Sequence, residues 1–278
     1  MQEDRHKVYI IDERLESYSS FLEDDFVRIA IKASDSSQQI SGLVNHLIAD
    51  WRSISYAIAF PSLSSRSVES FHLGMSSAGS AGYSLTGIIE ALLVRLQDRI
   101  PAFKCNIELQ QDLRAELNDL ITQIGVLKGK SDRLVSAHSV WSEQIKQHPM
   151  VMGIHETMRL SYIGIFAGYE EFLVRSARLL CARTDLQSTS RKFRQVLNET
   201  LGREMANLCW SSREIDNIRK IRNALAHAGG RLKDNDSLIP STICLDRGTI
   251  HVFPEHITSM YLTLKPAILA LITHPGFA

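Results

Sequence analysis

The sequence predicts an all-α protein in which a helical bundle of four to five helices fills the C-terminal half. An additional N-terminal helical region precedes the bundle, and one small β-hairpin interrupts it. Three observations carry that expectation. Apolar side chains recur every three to four residues along most of the chain, the spacing of amphipathic helices. Strand-like alternation is confined to one segment, residues 243–253. The 278 residues are 44% hydrophobic and 22% charged, enough apolar material to bury a core without disulfide or metal staples. The expected division is 1–100, a helical region of unassigned role; 101–149, a helical hairpin or connector; and 150–278, the bundle with its hairpin.

The first strong helical pattern runs over 38–60 through Ile40, Leu43, Val44, Leu47, Ile48, Trp51 and Ile54. Pro61 and the serine-rich stretch after it are expected to stop this helix, because proline lacks the N–H that the ladder needs. Small residues at 74–87 read as a flexible connection, followed by a helix through GIIEALLVRLQDRI that Pro101 ends. Leu113, Leu117, Leu120, Ile124 and Leu127 alternate in steps of four and three, the seam of a helical hairpin or a coiled coil. The seam resumes at Leu134, Trp141 and Ile145, with Gly125 and Gly129 as points where it can bend. After His148-Pro149, residues 152–183 are broadly apolar and read as a central bundle helix. A short helix at 190–201 and one at 211–228 follow. Ser211 or Ser212 can cap the latter, Glu214 and Asp216 suit its positive end, and Gly229-Gly230 ends it. Asp246-Arg247-Gly248 is a hairpin signal, and a last helix spans 255–273.

Charge and cysteine usage narrow the setting. Cys105, Cys181, Cys209 and Cys244 are far apart and form no CxxC pair, which fits free thiols in a reducing compartment. The N-terminal MQEDRHKVYIIDER is charged where a secretory signal needs an apolar core, and no apolar run approaches the roughly 18–20 residues that span a bilayer. A cytoplasmic protein without a membrane segment is the expectation. Formal net charge is zero, yet residues 1–60 carry ten acidic and six basic side chains, while residues 175–233 carry thirteen basic and five acidic ones. A local basic excess of that kind either marks a nucleic-acid surface or is spread over several solvated faces.

The segment that can carry chemistry is Arg222-Asn223-Ala224-Leu225-Ala226-His227. On a wheel at about 100° per residue, Ile218, Ile221, Leu225 and Ala228 lie within about 80° and define the expected buried face. Arg222, Ala226, Arg219, Asn223 and His227 then follow in angular order along one flank. Two arginines, an amide and a histidine therefore share a side, with only an alanine among them.

This segment resembles the signature of the HEPN superfamily: an arginine, an adjacent polar residue, and a histidine a few residues on, all on one helix of a four- or five-helix bundle. The match is Arg222-Asn223-(three residues)-His227, with FAGYEEFLVRSARLL at 166–180 similar to the family's earlier bundle helix. The resemblance covers about 150–273; residues 1–100 match nothing recognisable. It implies a metal-independent endoribonuclease with no cofactor, of the kind found among toxins and antiviral defence effectors. His227 would be the general base, Arg222 would hold the phosphate, and Asn223 would orient one or the other. Arg219 and Arg231 are the candidate substrate contacts, and Glu170 and Glu171 the candidate supports of Arg222. The implied partners are RNA, a second copy of the chain facing it through the motif helix, and an antitoxin or sensor protein.

The plainer readings stay open: His227 as a polar residue at a helix C-terminus, Arg222 as a bundle ion pair to Glu170 or Glu171, and Arg219 as a solvated cation. A non-catalytic HEPN module binding a partner protein or nucleotide, or a helical scaffold acting through the 107–147 seam, are the alternative functions. Gly125–Ser131 is one residue short of a phosphate loop and follows a helix where that loop needs a strand. His155-Glu156 lacks the second histidine of HExxH, and the remaining histidines show no ligand spacing, so no metal is expected.

Overall fold

A computed structural model describes residues 9–35, 37–76, 87, 90–91, 93–97, 106–128, 136–145, 147–231 and 243–277. Among the described residues the chain is mostly helical, with one two-stranded antiparallel sheet near its C-terminus. In order, the helices are α1 (Asp24–Ser34), α2 (Gln38–Ser76), α3 (Ile107–Lys128), α4 (Ala137–Gln144), α5 (His148–Cys181), α6 (Phe193–Leu201), α7 (Arg203–Ala206), α8 (Arg213–His227) and α9 (Pro254–Ile272), with strands β1 (Cys244–Asp246) and β2 (Thr249–His251) before α9. Most of the expected 74–87 connection, together with Pro101, Gly129 and Leu134, lies outside the described residues.

Contacts divide the chain into one unit made of Met1–Ser62 and Ser142–Ala278 and a second made of Leu63–Trp141. In the second, Arg114 of α3 pairs with Glu90 at 2.8 Å and Gln97 donates to Gln110 at 2.8 Å. Rising along one segment matches falling along the other, so helical residues 90–97 run antiparallel to α3. Leu113 and Leu117 are half-buried there.

In the first unit the N-terminal residues belong to the core. Trp51 of α2 is fully buried, stacks on Phe26 of α1 at 6.3 Å, and meets Phe21 and Tyr261 of α9 edge-on. Its indole N–H donates to the Ile165 carbonyl of α5 at 3.1 Å. Gly164 and Gly168, one turn apart on α5, make that approach possible. A Cβ on Gly168 would already touch the indole at 3.4 Å, and one on Gly164 would press on Ile54 at 3.1 Å. Lys265 of α9 pairs with Glu23, and Arg14 reaches Glu255 at 3.5 Å. The acidic N-terminal stretch thus contributes partners to α9 as well as apolar mass to the core.

Pro61 does not end α2, which continues to Ser76. A proline withdraws one donor from the ladder, and a helix held by packing on its preceding turns survives that loss. The boundary between the two contact units falls one residue later, after Ser62. Pro149 likewise lies in the first turn of α5, where its missing N–H has no intrahelical partner to lose, so the helix opens before residue 152.

The hairpin turns through Arg247 and Gly248, both at positive φ (47° and 76°), the geometry that matches the twist of two-residue hairpins. It packs its inner strand on the bundle: Ile250 and His251 of β2 are buried. His251 lies against His155 of α5 with ring centroids 5.4 Å apart, its Nδ1 has no hydrogen-bond partner among the described residues, and Tyr9 lies edge-on to His155 at 5.3 Å. Burial and the neighbouring His155 hold the His251 pKa below its usual 6.5, against an opposing pull from Asp246. His256 is lowered by burial, against the pull of Glu255, and its Nδ1 accepts the Phe253 backbone N–H at 2.9 Å. In both cases the unfolded chain takes up the proton first. Their contribution to stability is therefore complete above about pH 6.5 and is lost as pH falls below it. Urea midpoints taken from pH 7.5 to 5 should decline, and His251→Phe should flatten that decline. An equal slope in the variant would remove His251 from the account.

Candidate functional site

Three devices fix α8 on the bundle. Its N-terminus is set by the turn before it, Asn207–Ser211, a π-helical turn closed by the Ser212 N–H on the Asn207 carbonyl at 2.8 Å. That turn leaves the Cys209 carbonyl without a helical donor, and the buried Tyr169 hydroxyl of α5 supplies one. Burial pushes both groups toward their neutral forms: the Cys209 thiol rises to about 12 and Tyr169 well above its ordinary value. Ser212 then caps α8, its hydroxyl accepting the Ile215 N–H at 3.3 Å. At the far end Gly229 and Gly230 take positive φ (59° and 84°), and the Gly230 N–H returns to the Ala224 carbonyl at 2.9 Å. The Ile250 N–H donates to the Gly230 carbonyl at 2.8 Å, and Arg231 bridges Thr249, so the segment leaving the helix is held along β2.

The third device is the motif arginine. Ile215, Ile218, Ile221, Ala224 and Leu225 form the buried face of α8. Ala228, expected on that face, is exposed, because it follows the last helical residue and no longer obeys the wheel. Arg222 stands next to the buried face and is half-buried. Its guanidinium pairs with Glu170 of α5, lies 5.5 Å from the centre of the Phe166 ring, and donates to Asn223 Oδ1 at 3.0 Å. Its Nε is buried with no partner among the described residues.

Glu170 is therefore the support of Arg222, whereas Glu171 points to its own helix and pairs with Arg175 at 2.7 Å. The sequence held a signal for this choice. Glu170 is four residues after Phe166 and so shares its face, while Glu171 is four before Arg175, an ordinary exposed pair.

Asn223, Ala226 and His227 are exposed. Arg219 is not a free cation. It pairs with Asp216, which also takes Lys220 at 3.2 Å, and its guanidinium covers the Trp210 ring at 4.9 Å. Arg231 is exposed beyond the Gly-Gly turn. The arrangement is a fixed, half-buried guanidinium next to a solvent-facing amide, with a solvent-facing imidazole about 7–8 Å further along the helix and about 140° around it. Such a set can hold an anion and exchange a proton next to it. Among the described residues no group of three or more His, Cys, Asp or Glu is placed to hold a metal ion, and no helix is long and apolar enough to cross a membrane. No family model, curated protein or solved structure matches the chain.

Proposed function

We propose that this chain is a metal-independent endoribonuclease of the HEPN type, acting as a toxin or antiviral defence effector on RNA. The observation that carries the reading is Arg222 fixed by Glu170, with Asn223 and His227 of the same motif exposed on α8. A guanidinium held from behind meets a phosphate without reorganising, which is the condition for stabilising charge as it builds in a transition state. His227 Nδ1 or Nε2 takes the proton of a ribose 2′-OH. The 2′-oxygen bonds to the adjacent phosphorus, the bond from phosphorus to the 5′-oxygen breaks, and that oxygen leaves with a proton from the second acid of the site. The products are a 2′,3′-cyclic phosphate and a 5′-OH.

Two copies of α8 facing across a twofold axis supply the base and the acid from one His227 each. Ala226, small and exposed between Arg222 and His227, lets the second helix or the strand come close. The test is incubation of an RNA pool with the protein in excess EDTA, with the product ends identified. Cyclic phosphates are the expected ends; 3′-hydroxyl ends, or cleavage that stops with EDTA, would sink the mechanism. Binding of RNA or nucleotide without any cleavage would pass the site to the alternative, a non-catalytic module, for which the occupied donors of Arg222 are the supporting observation.

A further inference from the structure

The basic excess of residues 175–233 converges in part at a place apart from the motif. A cavity of about 520 Å³ opens between the α5–α6 connection, the π-helical turn and the first two turns of α8. Four arginines line it: Arg191 from the end of the α5–α6 connection, Arg194 from the first turn of α6, Arg213 from the first turn of α8, and Arg219 six residues on. Arg191, Arg194 and Arg213 are exposed and form no ion pair among the described residues. Asp216 is the one carboxylate of the lining, and it is already engaged by Arg219 and Lys220. The local balance is therefore strongly positive, at the end of α8 whose dipole is positive as well.

Two further features fit a site for an anion. Trp210, almost fully buried, holds the Arg219 guanidinium against its ring, so that cation is oriented before any ligand arrives. Ser211 lines the same cavity, and its buried hydroxyl has no hydrogen-bond partner among the described residues. Three unpaired guanidiniums and a fourth fixed in place match the oxygens of a phosphate group or a short run of them. Trp210 is covered by Arg219, so the wall offers cations and not a stacking face.

The position of the cavity joins it to the motif. Asp216, Arg219, Asn223 and His227 fall within about 80° on the α8 wheel, so one stripe leads from the cavity to the histidine. Along the axis Arg219 precedes His227 by about 12 Å. We propose that this basin is a phosphate-binding site that anchors the RNA strand a few nucleotides from the point of cleavage. The assignment to RNA rests on the ribonuclease reading; the phosphate chemistry does not.

The test uses the full chain carrying His227→Ala, so that no strand is cut during titration. Its probes are a labelled 12-nucleotide single-stranded RNA, ATP and inorganic triphosphate. Arg191→Ala, Arg194→Ala and Arg213→Ala are combined in one variant. The control combines Arg52→Ala, Arg203→Ala and Arg247→Ala, three exposed arginines outside the cavity. With unfolding midpoints unchanged, the basin variant should bind RNA at least about tenfold more weakly, and its salt dependence should flatten by about two, since each lost single-strand phosphate contact removes about 0.7 from the slope. Triphosphate should compete with RNA in the parent. Equal affinity in parent and basin variant, an equal loss in the control variant, or no binding of any probe by the parent would overturn the site. Loss of ATP and triphosphate binding with RNA binding intact would keep the phosphate site and overturn its assignment to the strand. Absence of cleavage by the wild type, with basin-dependent RNA binding preserved, would count against the ribonuclease reading alone.

Discussion

His227→Ala is expected to lower RNA cleavage by about 10²–10⁴-fold, the range that a general base contributes, and to leave the unfolded fraction at ordinary temperature unchanged. The imidazole is exposed at the last helical residue of α8 and covers no core side chain. Arg222→Ala should lower activity by about 10²–10³-fold for loss of the charge on the phosphate, but it should also destabilise the chain. It strips the partner from Glu170, a carboxylate whose side chain is only 17% exposed, at a cost of about 1–3 kcal/mol. The two variants therefore separate catalysis from folding. Adding Glu170→Gln to Arg222→Ala should recover part of the lost stability and none of the activity, because the orphaned charge is gone while the guanidinium is still missing. Product-forming rates and urea midpoints on the four proteins decide it. Cleavage at wild-type rate in His227→Ala would end the assignment of the base to this residue.

Much of the site's scaffold was legible locally because short-range chemistry decides it. The apolar period of α8, a serine before it and Gly229-Gly230 after it predict a helix at 211–228, and the structure has it at Arg213–His227. The Asp246-Arg247-Gly248 turn between two short alternating runs is likewise a local signal, and β1 and β2 pair across it. What was not legible depends on which surface meets which. Pro61 reads as a stop because the ladder cost is visible in the sequence, while the packing that outweighs it is not. The π-helical turn has no residue signature; it is stabilised by a hydroxyl forty residues away. The convergence of Arg191, Arg194 and Arg213 on one cavity appears in the sequence only as an excess of charge, since three positions on two helices and a connection share a face only after α6 and α8 have docked.

The role of residues 9–62 is the largest gap between the two readings, and Trp51 measures it. Read by period alone, 38–60 is an amphipathic helix with no named partner, so a separate N-terminal region was the natural expectation. The structure instead sinks Trp51 among Phe21, Phe26 and Tyr261 and ties its indole to the α5 backbone. Trp51→Ala should therefore cost about 3–5 kcal/mol for the cavity and lost transfer energy, with about 1 kcal/mol more for the lost indole hydrogen bond to the Ile165 carbonyl. Against a total stability of about 5–15 kcal/mol, that leaves a chain at the edge of unfolding. Removal of residues 1–62 should go further. Trp51→Phe, which keeps most of the ring volume and drops the hydrogen bond, should lie between the wild type and Trp51→Ala. Urea unfolding followed by far-ultraviolet circular dichroism reads all of them. A truncated chain that unfolded cooperatively at the wild-type midpoint would mean that the bundle closes without its N-terminal helices.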